Sequence, residues 1–334
     1  MKVKVKDIAK AAGVSTTAVS LVVNGKPSRL SDATKEKIMR IAREMAFQNE
    51  FTVEQLAYQR VKTLGLVVPN IDDPVYMRLA TGIQEYAYTS GYTVFLSISG
   101  DDAERCCTAV EGLAMKNVDG ILLIAPSTVE KEDRLTKMVK LLQGNGMPIV
   151  LLDRAIYSIF SDFVTSDNKY GGRAATLSLA EKGFKKIGCV LGPAQVYTTR
   201  KRLQGYQDGM AKAKLPYQEE LVYYGTYTRA SGKAGAAKLY ELGCRALFVA
   251  NDLMTAGALE FAREKGLKIP EDIEIVGYDA LPGCEISSVQ QNIALMAEKA
   301  VDRIVERIEN AGEDEMPPGN FYITPLMIER EQTK

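Results

Sequence analysis

From Leu64 onward, short apolar runs alternate with stretches of helical periodicity, and no other feature of the chain restricts its fold as much. Runs of strand length are Leu64 to Val68, Thr93 to Ile98, Gly120 to Ile124, Ile149 to Leu152, Ile187 to Leu191, Ala246 to Val249 and Ile273 to Tyr278. Between them lie helical patterns such as Val75 to Ser90, Glu132 to Gln143, Lys169 to Glu181 and Thr255 to Lys265. Strand–helix alternation of this kind predicts an α/β fold of doubly wound parallel sheets with helices on both faces. The stretch is about 270 residues, more than one typical domain, and so predicts two lobes.

Composition removes several function classes. The 334 residues include no histidine, which excludes histidine general acid–base catalysis, Ser-His-Asp and Cys-His nucleophiles and histidine-ligated metals. No run approaches about 18 uninterrupted apolar residues, so no membrane span is expected. The amino-terminal MKVKVKDIAK is charged and lacks an apolar core, so no secretory leader is expected either. The five cysteines (Cys106, Cys107, Cys189, Cys244 and Cys284) are odd in number and form no CxxC. They read as buried thiols in a reducing cytoplasm. Neither cofactor nor metal is expected.

Net charge is zero over the whole chain but uneven along it. Residues 1 to 60 carry eleven basic and six acidic side chains, +5, which leaves −5 for the remainder. A basic head on an acidic body points to a polyanion at the head, although such runs are often only solvated faces. Within the head, three short helices are predicted. Lys6 to Ala12 is closed by Gly13; a second begins at Ser15 or Thr16 and stops at Asn24-Gly25; a third is capped by Ser31 and runs through Met45. Two short helices around a glycine turn with a third closing the core form a helix-turn-helix, which binds DNA, or else a small helical dimerisation module.

In doubly wound sheets, ligands bind beyond the carboxyl ends of the strands. Asp72 and Asp73, Asp153-Arg154, Asp167-Asn168, Asn251-Asp252 and Asp279 all fall at such ends, with Tyr76, Tyr197 and Tyr227 nearby. Carboxylates and amides accept hydrogen bonds from neighbouring hydroxyls, and aromatic faces cover the C–H face of a sugar, so the set suits a polyhydroxylated ligand. Each Asp taken singly is explained as well by a helix N-cap.

The head segment VKDIAKAAGVSTTAVSLVVNGKP resembles the amino-terminal signature of the LacI/GalR family of bacterial transcription regulators. The match runs through Asp7, Ile8, Ala9, Ala12, Gly13, Val14, Ser15, Ala18, Val19, Ser20, Val22, Val23, Asn24 and Gly25. The resemblance implies a helix-turn-helix domain over residues 1–46 and a hinge helix over 47–62. It implies a periplasmic-binding-protein-like body over 63–334, with lobe 1 at about 63–161 and 292–320 and lobe 2 at about 162–291 and 321–334. Carried over by position, Thr16, Thr17, Ser20 and Leu21 would meet base edges in the major groove, and Ser15, Asn24, Ser31 and Thr34 phosphates. Many members have Arg where this chain has Leu21, so the operator read here differs from the commonest one. Leu56 would wedge into the minor groove. Asn49, Glu50 and Glu54 depart from the usual hinge pattern, and two carboxylates near phosphates repel.

In the body, IDDPVY, GPAQVYTTRKRLQGY, VANDLMTAGAL and IVGYDALPG are similar to the family's effector-binding segments. They imply effector contacts from Asp73, Tyr76, Asp153, Arg200, Tyr227, Asn251 and Asp279, with Arg202 as a structural partner. Ala280 stands where a second Asp is common, and Ile124 where some sugar-binding members carry a polar side chain, which leaves a nucleobase or another small metabolite as an alternative to a sugar. The resemblance thus implies a repressor acting as a homodimer on a pseudo-palindromic double-stranded operator, controlled by a small-molecule effector, a sugar or a sugar derivative. A solute-binding protein without specific DNA recognition would share the body, and a sugar-processing enzyme could use an Asp pair. The basic head favours the regulator.

Overall fold

The computed structural model describes residues 5–23, 28, 30–47, 62–127, 134–156, 158–280, 286–310 and 317–329, with side chains of the head described to residue 42. The expected hinge helix, with Asn49, Glu50, Glu54 and Leu56, lies outside the described residues, as do Asn24 and Cys284. The chain forms two compact units, Met1–Val61 and Lys62–Lys334.

The head contains α1 (Val5–Ala12), α2 (Thr16–Val23) and α3 (Asp32–Phe47). Gly13 ends α1 at φ +71°, the left-handed conformation that glycine adopts without a Cβ clash. The Ser15 hydroxyl accepts from Ala18 N at 3.1 Å and the Ser31 hydroxyl from Thr34 N at 3.3 Å, so both serines cap the helices they precede. Ile8, Ala9, Ala12, Val19 and Ile38 close the small core, with Val22 and Val23 packed against it.

The body begins with β1 (Thr63–Val68), α4 (Pro74–Thr89), β2 (Thr93–Ile98), α5 (Ala103–Met115), β3 (Gly120–Leu123), α6 (Arg134–Gly144), β4 (Ile149–Leu152) and β5 (Asp162–Ser166). It continues with α7 (Asn168–Glu181), β6 (Ile187–Leu191), α8 (Tyr197–Lys212), β7 (Val222–Tyr224), α9 (Arg229–Glu241), β8 (Ala246–Val249), α10 (Asp252–Glu264) and β9 (Glu274–Tyr278). Last come β10 (Ser288–Gln290), α11 (Ile293–Glu309), β11 (Asn320–Ile323) and β12 (Leu326–Ile328). The first sheet has the order β11-β5-β4-β3-β1-β2 and is parallel throughout. The second has the order β12-β10-β9-β8-β6-β7, parallel except where β12 runs antiparallel to β10.

The central strands of each sheet are buried on both faces, which is why they read as unbroken apolar runs. In the first sheet Leu64, Leu66, Leu122 and Val150 pack under α4 and α11, while Val67, Ile121, Leu123 and Leu151 pack under α5 and α6. In the second, Cys189, Phe248 and Val276 face α7 and α8, and Val190, Leu247 and Ile275 face α9 and α10. Cys106, Cys107, Cys189 and Cys244 are buried in these cores as thiols, outside any disulfide.

The chain passes between the sheets after β5, between β10 and α11, and between β11 and β12. Because β5 and β11 pair in the first sheet, its strands extend to Ser166 and from Asn320 to Ile323, beyond the limits 161 and 320 expected from the sequence. An ionic node joins these segments. Asp162, 3% exposed, accepts from Arg303 Nε at 2.7 Å, Arg307 Nε at 2.6 Å and Gly319 N at 2.7 Å. A carboxylate this deep is tolerated because its lone pairs are filled by two guanidiniums and a backbone amide.

Helices α7 and α8 approach closely enough that a Cβ on Gly205 would collide with the Lys169 carbonyl. Gly205→Ala is therefore expected to cost about 1–3 kcal/mol in thermal unfolding. Gly112, inside α5 with open space around it, provides the contrast. Gly112→Ala is expected to be neutral or stabilising by about 0.5–1 kcal/mol. Equal effects of the two substitutions on the melting temperature would contradict the packing described.

Candidate functional site

On the head, Thr16, Thr17 and Ser20 are exposed on α2, with Ser15 just before it, while Val19 on the opposite side is wholly buried. The 3.6-residue period accounts for this division: positions 16, 17 and 20 share a face, and position 19 turns to the core. Leu21 and Thr34 are half-buried at its margin and Ser31 is exposed. The Ser31 and Thr34 hydroxyls lie 2.8 Å apart.

In the body, the carboxyl ends of the strands of both sheets surround a polar cavity. The first lobe contributes Asp73, Val75, Tyr76, Asp153 and Arg154; the second contributes Thr198, Arg202, Tyr227, Asn251 and Asp279; Gln291 enters from the segment crossing between them. Six of the seven side chains expected there from the sequence thus meet at one place. The exception is Arg200, which is exposed and does not line the cavity. Two positions along a helix turn the side chain by about 200°, so on α8 the inward arginine is Arg202, one turn from Thr198. Tyr197 is also outside the cavity and instead meets Phe163 edge-on at 5.2 Å.

Capping and lining turn out not to be alternatives. Asp73 accepts from Val75 N at 3.0 Å and Asn251 from Met254 N at 3.0 Å, so both cap helices while lining the cavity. Asp167 caps α7 through Tyr170 N at 2.9 Å and does not line it. Asp153, Tyr227 and Asp279 cap nothing. They hold left-handed backbone conformations, with φ of 55°, 59° and 91°. Non-glycine residues rarely adopt this region, and a structure that imposes it three times around one cavity is holding those side chains in place.

Arg202, 4% exposed, donates from Nε to Asn168 Oδ1 at 2.8 Å and from Nη1 to the Ala250 carbonyl. Its guanidinium lies 3.7 Å from the centre of the Tyr278 ring, and Nη2 is 4.0 Å from Asp279 Oδ1. Asp279 also accepts from the Gln291 amide, and its backbone carbonyl accepts from Arg78 Nη2 of the first lobe at 3.2 Å. The Tyr227 hydroxyl bonds those of Thr199 and Thr198 at 2.7 and 3.1 Å, and the Tyr76 hydroxyl donates to Asp153 at 3.3 Å. Val75, Arg154, Thr198 and Gln291, with Arg202 as a lining residue, are the members that motif spacing did not assign as effector contacts.

Burial pushes the Asp279 carboxyl up to about 6, opposed by Arg202 and reinforced by Asp73. Burial likewise raises Asp73, against the Val75 amide and with the help of Asp153. Carboxyls of this kind ringing a small cleft can accept from hydroxyls when ionised and donate when protonated. Among the described residues no group of three or more His, Cys, Asp or Glu side chains could hold a metal, and no helix is long and apolar enough to cross a membrane.

A two-lobed body with its cavity at the strand ends, together with a three-helix unit, is the architecture of a DNA-binding regulator with a sugar-binding-type domain. Residues 4–50 match the bacterial regulatory proteins of the lacI family, and residues 61–324 match the periplasmic binding proteins and sugar-binding domain of that family. The chain belongs to the lacI family and is a DNA-binding transcriptional repressor. It is 30% identical over 338 aligned positions to the HTH-type transcriptional repressor PurR of Haemophilus influenzae (strain PittEE), covering 99% of this chain and 98% of the relative. It is also 30% identical to the ribose operon repressor of Haemophilus influenzae (strain Rd), over 92% of this chain and 93% of that one. Among solved structures, it is similar to a CelR–cellobiose complex, with TM-score 0.71, 30% identity and 99% coverage of both chains. It is similar, too, to a Lac repressor dimer bound to operator and the anti-inducer ONPF, with TM-score 0.79, 25% identity and coverage of 99% and 98%.

A carboxyl whose value is raised on folding contributes stability below its unfolded value of 3.8 and loses that contribution as the pH rises through about 6. Asp73 acts with the same sign. From this buried group, Asp279→Asn is expected to unfold with a melting temperature that gains less than wild type between pH 7 and pH 5. Identical slopes for the two proteins would show that Asp279 does not titrate there.

Proposed function

We propose that this repressor binds a pseudo-palindromic operator as a homodimer in the cytoplasm, and that a sugar or sugar derivative held in the strand-end cavity controls it. The observation that carries the reading is the lining itself: Asp73, Asp153 and Asp279, with the Asn251 and Gln291 amides, Arg154 and Arg202, and tyrosines from both lobes. Carboxylates and amides take the hydroxyl protons of a polyol, the guanidiniums supply donors to its oxygens, and Tyr76 and Tyr227 cover apolar ring faces. The names of two relatives, the ribose operon repressor and the CelR–cellobiose complex, support a sugar.

Thr16, Thr17, Ser20 and Leu21 would read base edges, with Ser15, Ser31 and Thr34 at phosphates, and Asn24 and Leu56 completing the contacts. The exposed face of α2 supports this. Leucine offers no donor to guanine but can cover a thymine methyl. A second copy is supported by the edge strand β2, where Phe95, Leu96 and Ile98 are 44%, 48% and 42% exposed. An unpaired edge carrying three apolar side chains is a surface that two-fold pairing would cover. Closure of the lobes on the sugar would shift the dimer geometry that sets the two heads, linking effector to operator. The separate head disfavours a plain solute-binding role.

Selection from a randomised duplex pool followed by titration tests the reading. An inverted repeat should be enriched, and one of D-ribose, D-xylose or D-glucose should change operator affinity tenfold or more in wild type and not in Arg202→Met. Salt-sensitive binding that enriches nothing, or an operator complex indifferent to every sugar, would overturn it.

A further inference from the structure

We infer that Asp101, which does not line the cavity, is the positioning residue that aims Arg154 at the effector; the inference rests on the effector reading above. Strand β2 ends in Ser99, Gly100 and two consecutive carboxylates, and these have separate tasks. Asp102 caps α5 by accepting from Arg105 N at 2.8 Å. Asp101 caps nothing. It is held at φ 58° after Gly100 at φ 67°, a pair of left-handed residues that turns its side chain away from α5. Its Oδ1 accepts from Ser127 N at 2.9 Å and from Arg154 Nη1 at 2.7 Å, and its Oδ2 accepts from the Ser127 hydroxyl. Arg154 Nη1 donates also to the Ala125 carbonyl at 3.3 Å. One edge of the guanidinium is thus tied to the loops that follow β2 and β3.

The opposite side of the group faces different surroundings. Arg154 is 6% exposed, lies 5.6 Å from the centre of the Tyr76 ring and 5.8 Å from that of Tyr227, and lines the cavity. Its Nε is buried and has no hydrogen-bond partner. A buried donor without a partner costs stability unless a ligand supplies the acceptor, so this atom is where an effector oxygen belongs. The cavity holds carboxylates of its own, Asp73 and Asp153, and a mobile guanidinium would fold onto them. It would then occupy the space and use up the acceptors that hydroxyls need. Asp101 prevents this by satisfying the charge from outside the cavity. Charge-assisted bonds of fixed geometry can do this because they are about twice as strong as neutral ones.

The test has a ligand-free arm and a binding arm. In full-length protein without sugar, the Arg154 Nε–Hε resonance, identified by its loss in Arg154→Gln, should be dispersed and slow to exchange with water. In Asp101→Asn it should shift and exchange fast. The affinity of whichever of D-ribose, D-xylose or D-glucose binds wild type should fall about tenfold or more in Asp101→Asn. The same substitution should cost nothing further in an Arg154→Gln background. A merely structural role would lower the melting temperature and add its full effect to that of Arg154→Gln. An unchanged Nε–Hε resonance in Asp101→Asn, or full additivity, overturns the inference. If none of the sugars binds wild type, the effector reading fails, and the ligand-free resonance still decides whether Asp101 fixes Arg154.

Discussion

Charge gathered between the two lobes is the constraint on which the body depends. Parallel strands end together, and in this chain the ends carry Asp153, Arg154, Asn251 and Asp279, all at most 6% exposed. Buried charge is tolerated only when it is paired or hydrogen-bonded. The structure meets that demand from two sides: outside the cavity Asn168 and Ala250 hold Arg202 and Asp101 holds Arg154, while among the lining residues Gln291 holds Asp279 and Tyr76 holds Asp153. This arrangement explains both the raised carboxyls and the left-handed backbone at Asp153, Tyr227 and Asp279, since each is held at some cost by its surroundings.

The same layout suits a two-position body. Among the described residues, contacts across the cleft include ones of a kind that can re-form: Arg78 to the Asp279 carbonyl, Arg154 against Tyr227, and Phe163 against Tyr197. By contrast, the crossing segments are fastened by the Asp162 node with Arg303, Arg307 and Gly319. Firm crossings and light cleft contacts are what hinge closure requires. A sugar that adds contacts only in the closed arrangement would shift that equilibrium by its differential affinity.

Much of this was legible in the sequence because it is local. The three helices of the head follow from spacing and caps, and β1 to β4, β6, β8 and β9 follow from their apolar runs. Strand β5 (DFVTS) was legible only through the Asp167-Asn168 pair at its end, not as an apolar run. Its Asp162 and Thr165 are buried polar residues made tolerable by partners distant in the chain, so no apolar run announces it. The short β10 and β12 depend in the same way on pairing with remote strands. At the site, strand-end logic found the aspartates, while the choice between Arg200 and Arg202 turned on helix phase, which a motif alone does not carry. Gln291 belongs to no motif and reaches the cavity only because the chain crosses there. Asp101 was hidden beside Asp102, whose capping role accounts for an acidic pair on its own.

The central claim, that one equilibrium links the strand-end cavity to the operator, is tested most directly by a reciprocal titration. Sugar affinity is measured on free protein and on protein saturated with operator, and operator affinity with and without saturating sugar. Thermodynamic linkage requires the two ratios to be the same factor, and the account predicts one tenfold or larger. Sugar binding that is equally tight on free and operator-bound protein would show that the cavity does not govern DNA binding.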